Sequence, residues 1–240
     1  MTPLATIGQP NTMLSKVVKV LSIGGALLIA ILVVAHFVWK YSGSNRWDLV
    51  LDEHGVKVYA LKSPGSTLKQ FKAVTRINTT LNRVVAAMTD TSTEACAAFV
   101  PGCTSGKILQ AWNSQSLYYI QAYHVDFPFP FVDRDFVIKT QFSQDIQNKS
   151  VLVQCTALPD KLPQSVRSFH VTDMHNSWRF TPLEDGQTEV EFVGNYDLGM
   201  PYFMFNKAVP GTLSDLLPHL EELFNKDKYQ HREFAFVKQP

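Results

Sequence analysis

The 240-residue chain is poor in cysteine, carries almost no net charge and lacks the short motifs that mark common enzyme classes. Its three cysteines are too few for a disulfide framework, and none belongs to a C-x-x-C metal knuckle. A formal net charge of +1 and the absence of a basic cluster argue against a nucleic-acid-binding surface. No G-x-S-x-G, H-E-x-x-H, P-loop or G-x-G-x-x-G sequence occurs. The sequence therefore predicts no metal, no cofactor and no nucleic-acid partner.

The sequence leaves open whether two of the three cysteines form a disulfide. Cys96 and Cys103 are close enough in sequence to form a disulfide in an oxidising compartment, and two separate buried thiols fit the sequence equally well. Cys155 lies in the apolar stretch VLVQCTAL, where the pattern favours a packing residue.

What the chain does have is a long apolar run, residues 20–39, without a formally charged side chain. As a helix these twenty residues span ~30 Å, about the thickness of the hydrocarbon core of a bilayer. Trp39 and Tyr41 stand where interfacial aromatic residues are expected, and basic residues on both sides of the run orient it only weakly. The run predicts a transmembrane anchor.

Two other interpretations of this run stay open. It has the features of a cleaved signal peptide, with Val33-Val34-Ala35 supplying small residues before the cleavage site, although it is longer than a usual signal core. A buried helix of a soluble domain is the third interpretation, and the lack of a polar face argues against it. Anchor and signal alike place residues 47–240 at or across a membrane, on the extracytoplasmic side, which is the periplasm in a bacterium.

Beyond the apolar run, the spacing of apolar residues predicts an α+β domain. Strands are expected at 56–61 and 71–78, followed by helices at 81–90 and 94–99. From residue 107 the period changes to two, which is typical of antiparallel hairpins. Those strands are predicted at 107–112, 116–124, 135–143, 149–157, 166–175, 177–182 and 188–197.

The chain ends in a helical pattern at about 200–230, which Pro210 and Pro218 should break or bend. A strongly curved antiparallel sheet wrapped round this long helix is the plausible packing. The predicted divisions of the chain are a tail at 1–19, the anchor at 20–39, a linker at 40–46, the folded domain at 47–230 and a tail at 231–240.

Five stretches of the domain resemble the START domain, the lipid-transfer module related to steroidogenic acute regulatory protein, in their order and spacing. The resemblance covers roughly residues 47–228, and the opening WDLVLDEHGVKVY is similar to bacterial members that follow a signal or anchor segment. The five stretches are GVKVY (55–59), PGSTLKQFKAV (64–74), FPFPFVDRDFV (127–137), LPQSVR (162–167) and DLGMPYFMFN (197–206).

The resemblance implies the helix-grip fold, which Bet v 1-like proteins share: an antiparallel sheet curled round a C-terminal helix, enclosing a tunnel for one lipid. It implies binding of a phospholipid, fatty acid or sterol-like lipid by a monomer at a bilayer, without catalysis. Sterol-binding members carry a buried Glu–Arg pair, which by spacing falls on Gln121 and Thr140 here. Because neither residue is charged, the ligand stays open.

The candidate ligand-binding residues lie on the predicted inward faces. Arg134 begins an inward row of its strand and would need a ligand head group or an internal acid as partner, unless its head group reaches solvent at the strand end. Tyr119, Gln121 and Tyr123 alternate on one face of theirs, which suits a cavity wall or an ordinary aromatic core. The full set is Arg134, Gln121, Tyr119, Tyr123, Phe136, Ile138, Thr140, Phe192, Trp178 and Leu217.

Two rival chemistries remain. A helix-grip enzyme would need a general base at the mouth of the cavity, and Asp126, His124 and Tyr123 are the nearest candidates. A metal site at His170, Asp173 and His175 is weakly indicated, because His170 has the opposite strand parity and no third ligand is evident.

Overall fold

A computed structural model describes residues 12–162 and 165–239. Residues 1–11 of the predicted tail at 1–19, residues 163–164 of the LPQSVR stretch and residue 240 of the predicted C-terminal tail lie outside the described residues.

Ten strands form one sheet with the order β1-β2-β3-β10-β9-β7-β6-β5-β4, and β8 lies beside β6. All pairings are antiparallel except the short β6–β8 pair, which is parallel. This confirms the predicted antiparallel meander. The strands are β1 (Trp47–Glu53), β2 (Val56–Leu61), β3 (Gln70–Ile77), β4 (Cys103–Asn113), β5 (Tyr118–Val125), β6 (Arg134–Gln144), β7 (Val151–Ala157), β8 (Phe169–His170), β9 (Met174–Pro182) and β10 (Thr188–Tyr196).

The helices lie on one face of this sheet, apart from the first. They are α1 (Thr12–Tyr41), α2 (Leu81–Met88), α3 (Thr93–Phe99) and α4 (Tyr202–Phe224). The α4 helix packs against β1, β2 and β3 and contacts α2 and α3. Its buried residues Phe205, Val209, Leu213, Leu217 and Leu220 recur at helical spacing, which explains why this face of the helix covers the sheet. The predicted α+β architecture is confirmed.

Two predicted strand assignments are wrong. The expected strand at 166–175 contains only the two-residue β8, and β9 begins at Met174 instead of at residue 177. The exposed strand β1 was not predicted, because its side chains show no inward–outward alternation and it pairs with β2 alone. At a sheet edge the pattern of apolar residues therefore carries less information than in the middle.

The α4 helix runs from Tyr202 to Phe224 without a break, although Pro210 and Pro218 lie inside it. A proline inside a helix removes one backbone hydrogen bond and costs ~3 kcal/mol. Burial of Val209, Leu213 and Leu217 on the flanking turns supplies compensating packing. The predicted break at these prolines is therefore wrong.

Residues after α4 pack against the sheet. A 3₁₀ turn, Asp227–Tyr229, buries Tyr229, whose hydroxyl donates a hydrogen bond to Asp90 (2.6 Å). Farther on, Val237 is buried and Phe234 and Phe236 contact Trp112 on β4. Three apolar residues of the predicted tail at 231–240 thus pack against the core, while most of its other described residues are exposed.

The α1 helix begins at Thr12, before the predicted anchor, and continues into the predicted linker. Its segment Met13–Tyr41 is long and apolar enough to cross a membrane, and its most apolar stretch is not buried against the rest of the chain. This argues against a buried helix of a soluble domain and suits a membrane anchor or a signal segment.

Candidate functional site

The sheet register aligns the predicted inward residues in rows across neighbouring strands. Thr140 on β6 lies opposite Tyr119 on β5 and Cys155 on β7. One step nearer the start of β6, Ile138 lies opposite Gln121, and beyond it Phe136 lies opposite Tyr123. The rings of Tyr123 and Phe136 stack with centroids 5.0 Å apart. The structure therefore brings these sheet candidates together on one continuous inner surface.

The other candidates lie in a tightly packed half of the interior. Trp178 and Phe192 are 7% and 5% exposed, with ring centroids 4.5 Å apart. Leu217 of α4 is fully buried in the same large cluster, which also includes Tyr119. A second, smaller cluster contains Phe136 and Ile138, with Tyr123 packed against it. Cys155 and Tyr196 contact both clusters, so they mark the boundary between the two.

Three side chains at this boundary combine deep burial with accessible surface. Burial raises the pKa of the Cys155 thiol to about 11, and it raises the pKa of Tyr123 and of Tyr196 above the usual tyrosine value. All three side chains nevertheless keep some solvent-accessible surface. Partly exposed side chains at the meeting point of two core clusters are where a ligand could contact the interior. The boundary between the clusters is therefore the candidate ligand-binding region.

Two tyrosine hydroxyls in this region have no hydrogen-bond partner among residues 12–162 and 165–239. They belong to Tyr123 and Tyr196, which both keep accessible surface, whereas the fully buried side-chain atoms without a partner among these residues belong to Thr79, Asn82 and Ser150. The neighbouring polar candidates are already engaged: Tyr119 donates to the carbonyl of Met88 (2.8 Å), and Gln121 donates to that of Thr91 (3.3 Å). The hydroxyls of Tyr123 and Tyr196 are thus the free hydrogen-bonding groups of this region. They are neutral and belong to rings that contact other aromatic side chains.

Tyr196 and Cys155 were not among the predicted site residues. Tyr196 shares the inward parity of Phe192 on β10, and Cys155 is opposite Thr140, so both lie on faces that the sequence assigned to the interior. What the sequence did not contain is the boundary between two core clusters, which depends on how all the strands pack together. Alternation alone identifies the inner face but not the unfilled part of it.

Arg134 is 1% exposed, so of the two placements considered from the sequence the inward-facing one is confirmed. Its Nε donates to the carbonyl of Leu198 (2.6 Å), and Nη1 donates to the carbonyl of Val132. Its guanidinium lies over the ring of Phe127 (4.3 Å), with Phe169 at 5.2 Å. Burial lowers the pKa of Arg134, and the charges of nearby aspartates partly offset this. The alternative of a solvent-exposed head group is wrong, and the partners of Arg134 among the described residues are backbone carbonyls and aromatic rings.

The candidate general base His124 lies on the outer face of β5, on the opposite side from Tyr123. Its Nδ1 is 2.6 Å from a carboxylate oxygen of Asp135, and its Nε2 is 3.5 Å from Asp133 and 3.7 Å from Asp126. The hydrogen bond to Asp135 raises the pKa of His124, although burial opposes the rise. The cluster holds the two ends of the β5–β6 loop together.

The residues whose possible metal-ligand atoms lie close together differ from the set that the sequence weakly indicated, which was His170, Asp173 and His175. Ligand atoms of His124, Asp126 and Asp133 all lie within 4.8 Å of one another. His170 instead lies 3.0 Å from the carbonyl of Pro159 through Nε2.

A large surface cleft lies away from the candidate ligand-binding region. It has a volume of about 850 Å³ and is at the end of the sheet formed by the β1–β2 turn. Charged side chains, including Lys57, Arg76 and Glu189, line it together with residues of α4. None of the predicted site residues contributes to this cleft.

Comparison with solved structures identifies the architecture. A bacterial STAR-related lipid transfer protein from Xanthomonas axonopodis matches with a TM-score of 0.67 at 22% identity, over 75% of this chain and 99% of that chain. Human StAR-related lipid transfer protein 5 matches with a TM-score of 0.60 at 13% identity, over 83% of this chain and 95% of that chain. The fold is that of a START-like domain. The predicted helix-grip fold is confirmed.

Comparisons with family profiles and with other protein sequences give less information about the chain. No established family profile matches the chain. An uncharacterized protein of Pseudomonas aeruginosa is 27% identical over 188 residues, which is 77% of this chain and 90% of that protein. The START-like domain therefore has bacterial relatives in both sequence and structure.

Proposed function

We propose that this START-like domain binds one hydrophobic ligand, a phospholipid, fatty acid or sterol-like lipid, at the boundary between its two core clusters. The observation that carries the proposal is the START-like fold, which places the phenols of Tyr123 and Tyr196 beside the two core clusters. Their phenols offer a lipid a neutral hydrogen-bonding end, while the surrounding side chains cover its apolar part. Removing apolar ligand surface from water contributes ~25 cal/mol per Å².

The neutral lining distinguishes this site from one built on an ion pair. By sequence spacing Gln121 and Thr140 correspond to the charged pair of sterol-binding START domains, and Arg134 is engaged by backbone carbonyls. The ligand is therefore held by hydrogen bonds and apolar contact, and its selectivity follows cavity shape more than charge.

Binding is favoured over catalysis. An enzyme of the helix-grip type would need a general base that faces the ligand, whereas His124 faces outward beside aspartates and Asp126 is exposed. Tyr123 faces inward, but burial raises its pKa and so disfavours the ionised form that would act as a base. We propose that the protein is a monomeric lipid carrier or sensor, without a cofactor.

The chain is proposed to act at a membrane on the extracytoplasmic side. The α1 helix supplies the anchor, and anchoring raises the effective concentration of the domain at the bilayer. The disulfide between Cys96 and Cys103 supports this location, because such bonds persist in oxidising compartments such as the periplasm.

Filling the cavity tests the proposal. Cys155→Phe places a large ring between the clusters, whereas Thr156→Phe places the same ring on the outer face of the same strand. We expect the full-length Cys155→Phe protein to lose co-purifying lipid in mass spectrometry while Thr156→Phe retains it. Equal lipid content in the two folded variants would contradict the proposed cavity, and thermal unfolding of both variants checks that they fold.

A further inference from the structure

The end of the anchor helix α1 contacts the start of α4. Trp39 of α1 donates from Nε1 to the carbonyl of Thr67 (2.9 Å), and its ring stacks on Tyr202, the first residue of α4, with centroids 6.1 Å apart. His36 also contacts the ring of Tyr202, at 5.8 Å. Lys62 adds hydrogen bonds to the carbonyls at the end of α1, including that of Ser42 (3.0 Å). The domain is therefore held in one orientation relative to α1.

These contacts fix the depth of the first turn of α4 relative to the bilayer that α1 would span. The apolar run ends at Trp39, and His36 lies one turn inside it, ~5 Å deeper at 1.5 Å per residue. Because Tyr202 touches both residues, it lies at the level where the anchor leaves the hydrocarbon. The adjacent side chains of Phe203 and Met204 are 64% and 38% exposed.

Further exposed apolar side chains lie in loops at the end of the sheet that α1 contacts. Phe129 and Val132, in the loop between β5 and β6, are 97% and 55% exposed, and Val166 before β8 is fully exposed. Arg134 ties this loop to the carbonyl of Leu198, in the segment that leads into α4. The β6–β7 turn at the opposite end of the sheet also has an exposed apolar residue, Ile146, at 86%.

We propose that the anchor end of the domain lies against the leaflet from which α1 emerges, with Phe129 and Phe203 inserted among its lipids. The surface comprises the first turn of α4, the β5–β6 loop and the exposed side chain of Val166. Its occupant is this bilayer because the surface is continuous with the end of the membrane helix, and Lys207 on α4 and Lys69 provide cationic partners for headgroup phosphates. The proposal rests on the proposed anchoring of the chain by α1.

Insertion of these tips is measurable in the full-length protein. Phe129→Cys, Phe203→Cys and the control Ile146→Cys are each labelled with an environment-sensitive dye in nanodiscs of phosphatidylcholine and phosphatidylglycerol. The disulfide is kept oxidised, and labelling of the wild-type protein measures the contribution of the half-buried Cys155. We expect nitroxide lipids to quench the dye at positions 129 and 203 but not at 146.

Equal quenching at all three positions, or quenching at 146 alone, would overturn the proposal. A blue shift at 129 and 203 without quenching by the nitroxide lipids would also overturn it, since it would indicate contact with protein instead of lipid. Mass spectrometry of lipid retained by the same labelled proteins separates this proposal from ligand binding. Retained lipid without quenching contradicts only the membrane surface, and quenching without retained lipid supports the surface while it contradicts ligand binding.

Discussion

Arg134 shows what a single residue does in this fold and how far the sequence could predict it. Its inward parity follows from the alternation of β6 and is confirmed by its burial. Its partner was not predictable, because the carbonyl of Leu198 is 64 residues away in the chain. The FPFPFVDRDFV stretch therefore supplies an arginine that fastens its own loop to the segment before α4.

Replacing Arg134 should destabilise the domain. Arg134→Met keeps much of the volume but takes the arginine donor from the carbonyls of Val132 and Leu198 and removes the cation from the aromatic rings, so we expect a loss of about 2–4 kcal/mol in the free energy of unfolding. Arg179→Met removes an arginine from an exposed pair with Glu191 and serves as the control. Urea unfolding of the full chain in detergent measures both. Equal stability of the two variants would mean that the buried contacts contribute little.

The pKa shifts around His124 predict a pH dependence. The raised pKa of His124 gives a contribution to stability that is complete below the ordinary histidine pKa of ~6.5 and is lost as the pH rises through the raised value. Burial opposes ionisation of Asp135, yet its hydrogen bonds from His124 and Ser168 leave its pKa lowered. That contribution is present above the ordinary aspartate pKa of ~3.9 and is lost as the pH falls through the lowered value.

The stabilisation from the pair should therefore be largest between these two ordinary pKa values. We expect the difference in unfolding free energy between wild type and His124→Asn to shrink as the pH rises above this window. Urea unfolding over a pH series measures the difference, and the groups that contribute are His124, Asp126, Asp133 and Asp135. A difference that stays constant or grows with pH would contradict the assignment.

At the scale of elements, the sequence predicts the central strands well because each has one buried face. The bounds of β2 agree with the prediction, and β5, β6, β7 and β10 differ from it by one or two residues. Prediction fails where tertiary contacts determine the secondary structure. The strand β8 exists because Phe169 and His170 pair with the start of β6. The α4 helix continues through its two prolines because the flanking turns are buried. Local pattern does not contain either contact.

The disulfide joins α3 to β4 and should stabilise this connection. Cys96 and Cys103 are seven residues apart and both lie in the smaller core cluster. Chain entropy for so short a loop predicts that Cys96→Ala with Cys103→Ala costs about 2–3 kcal/mol. Chemical unfolding of the double variant and of the wild type, with and without reductant, measures this. The wild type should become less stable on reduction while the variant does not change, and a response of both or of neither would contradict the assignment.

At the scale of the whole molecule, the end of the anchor helix and the candidate ligand-binding region lie toward the same end of the sheet. The end of α1 meets the first turn of α4, and the β5–β6 loop is tied to the same segment through Arg134. Tyr123 and Tyr196 lie near this end of their strands, so a ligand held by them lies close to the proposed membrane surface. A lipid could then pass between bilayer and cavity over a short distance.

The most direct test of ligand binding is the lipid content of the purified full-length chain. Annular lipids around α1 are removed by extensive detergent washing, whereas an enclosed lipid should persist. Native mass spectrometry of the washed wild-type protein should show one lipid bound per chain, and the double variant Tyr123→Phe with Tyr196→Phe should retain less of it. A wild-type chain that carries no lipid after washing, in a protein that remains folded, would contradict the account.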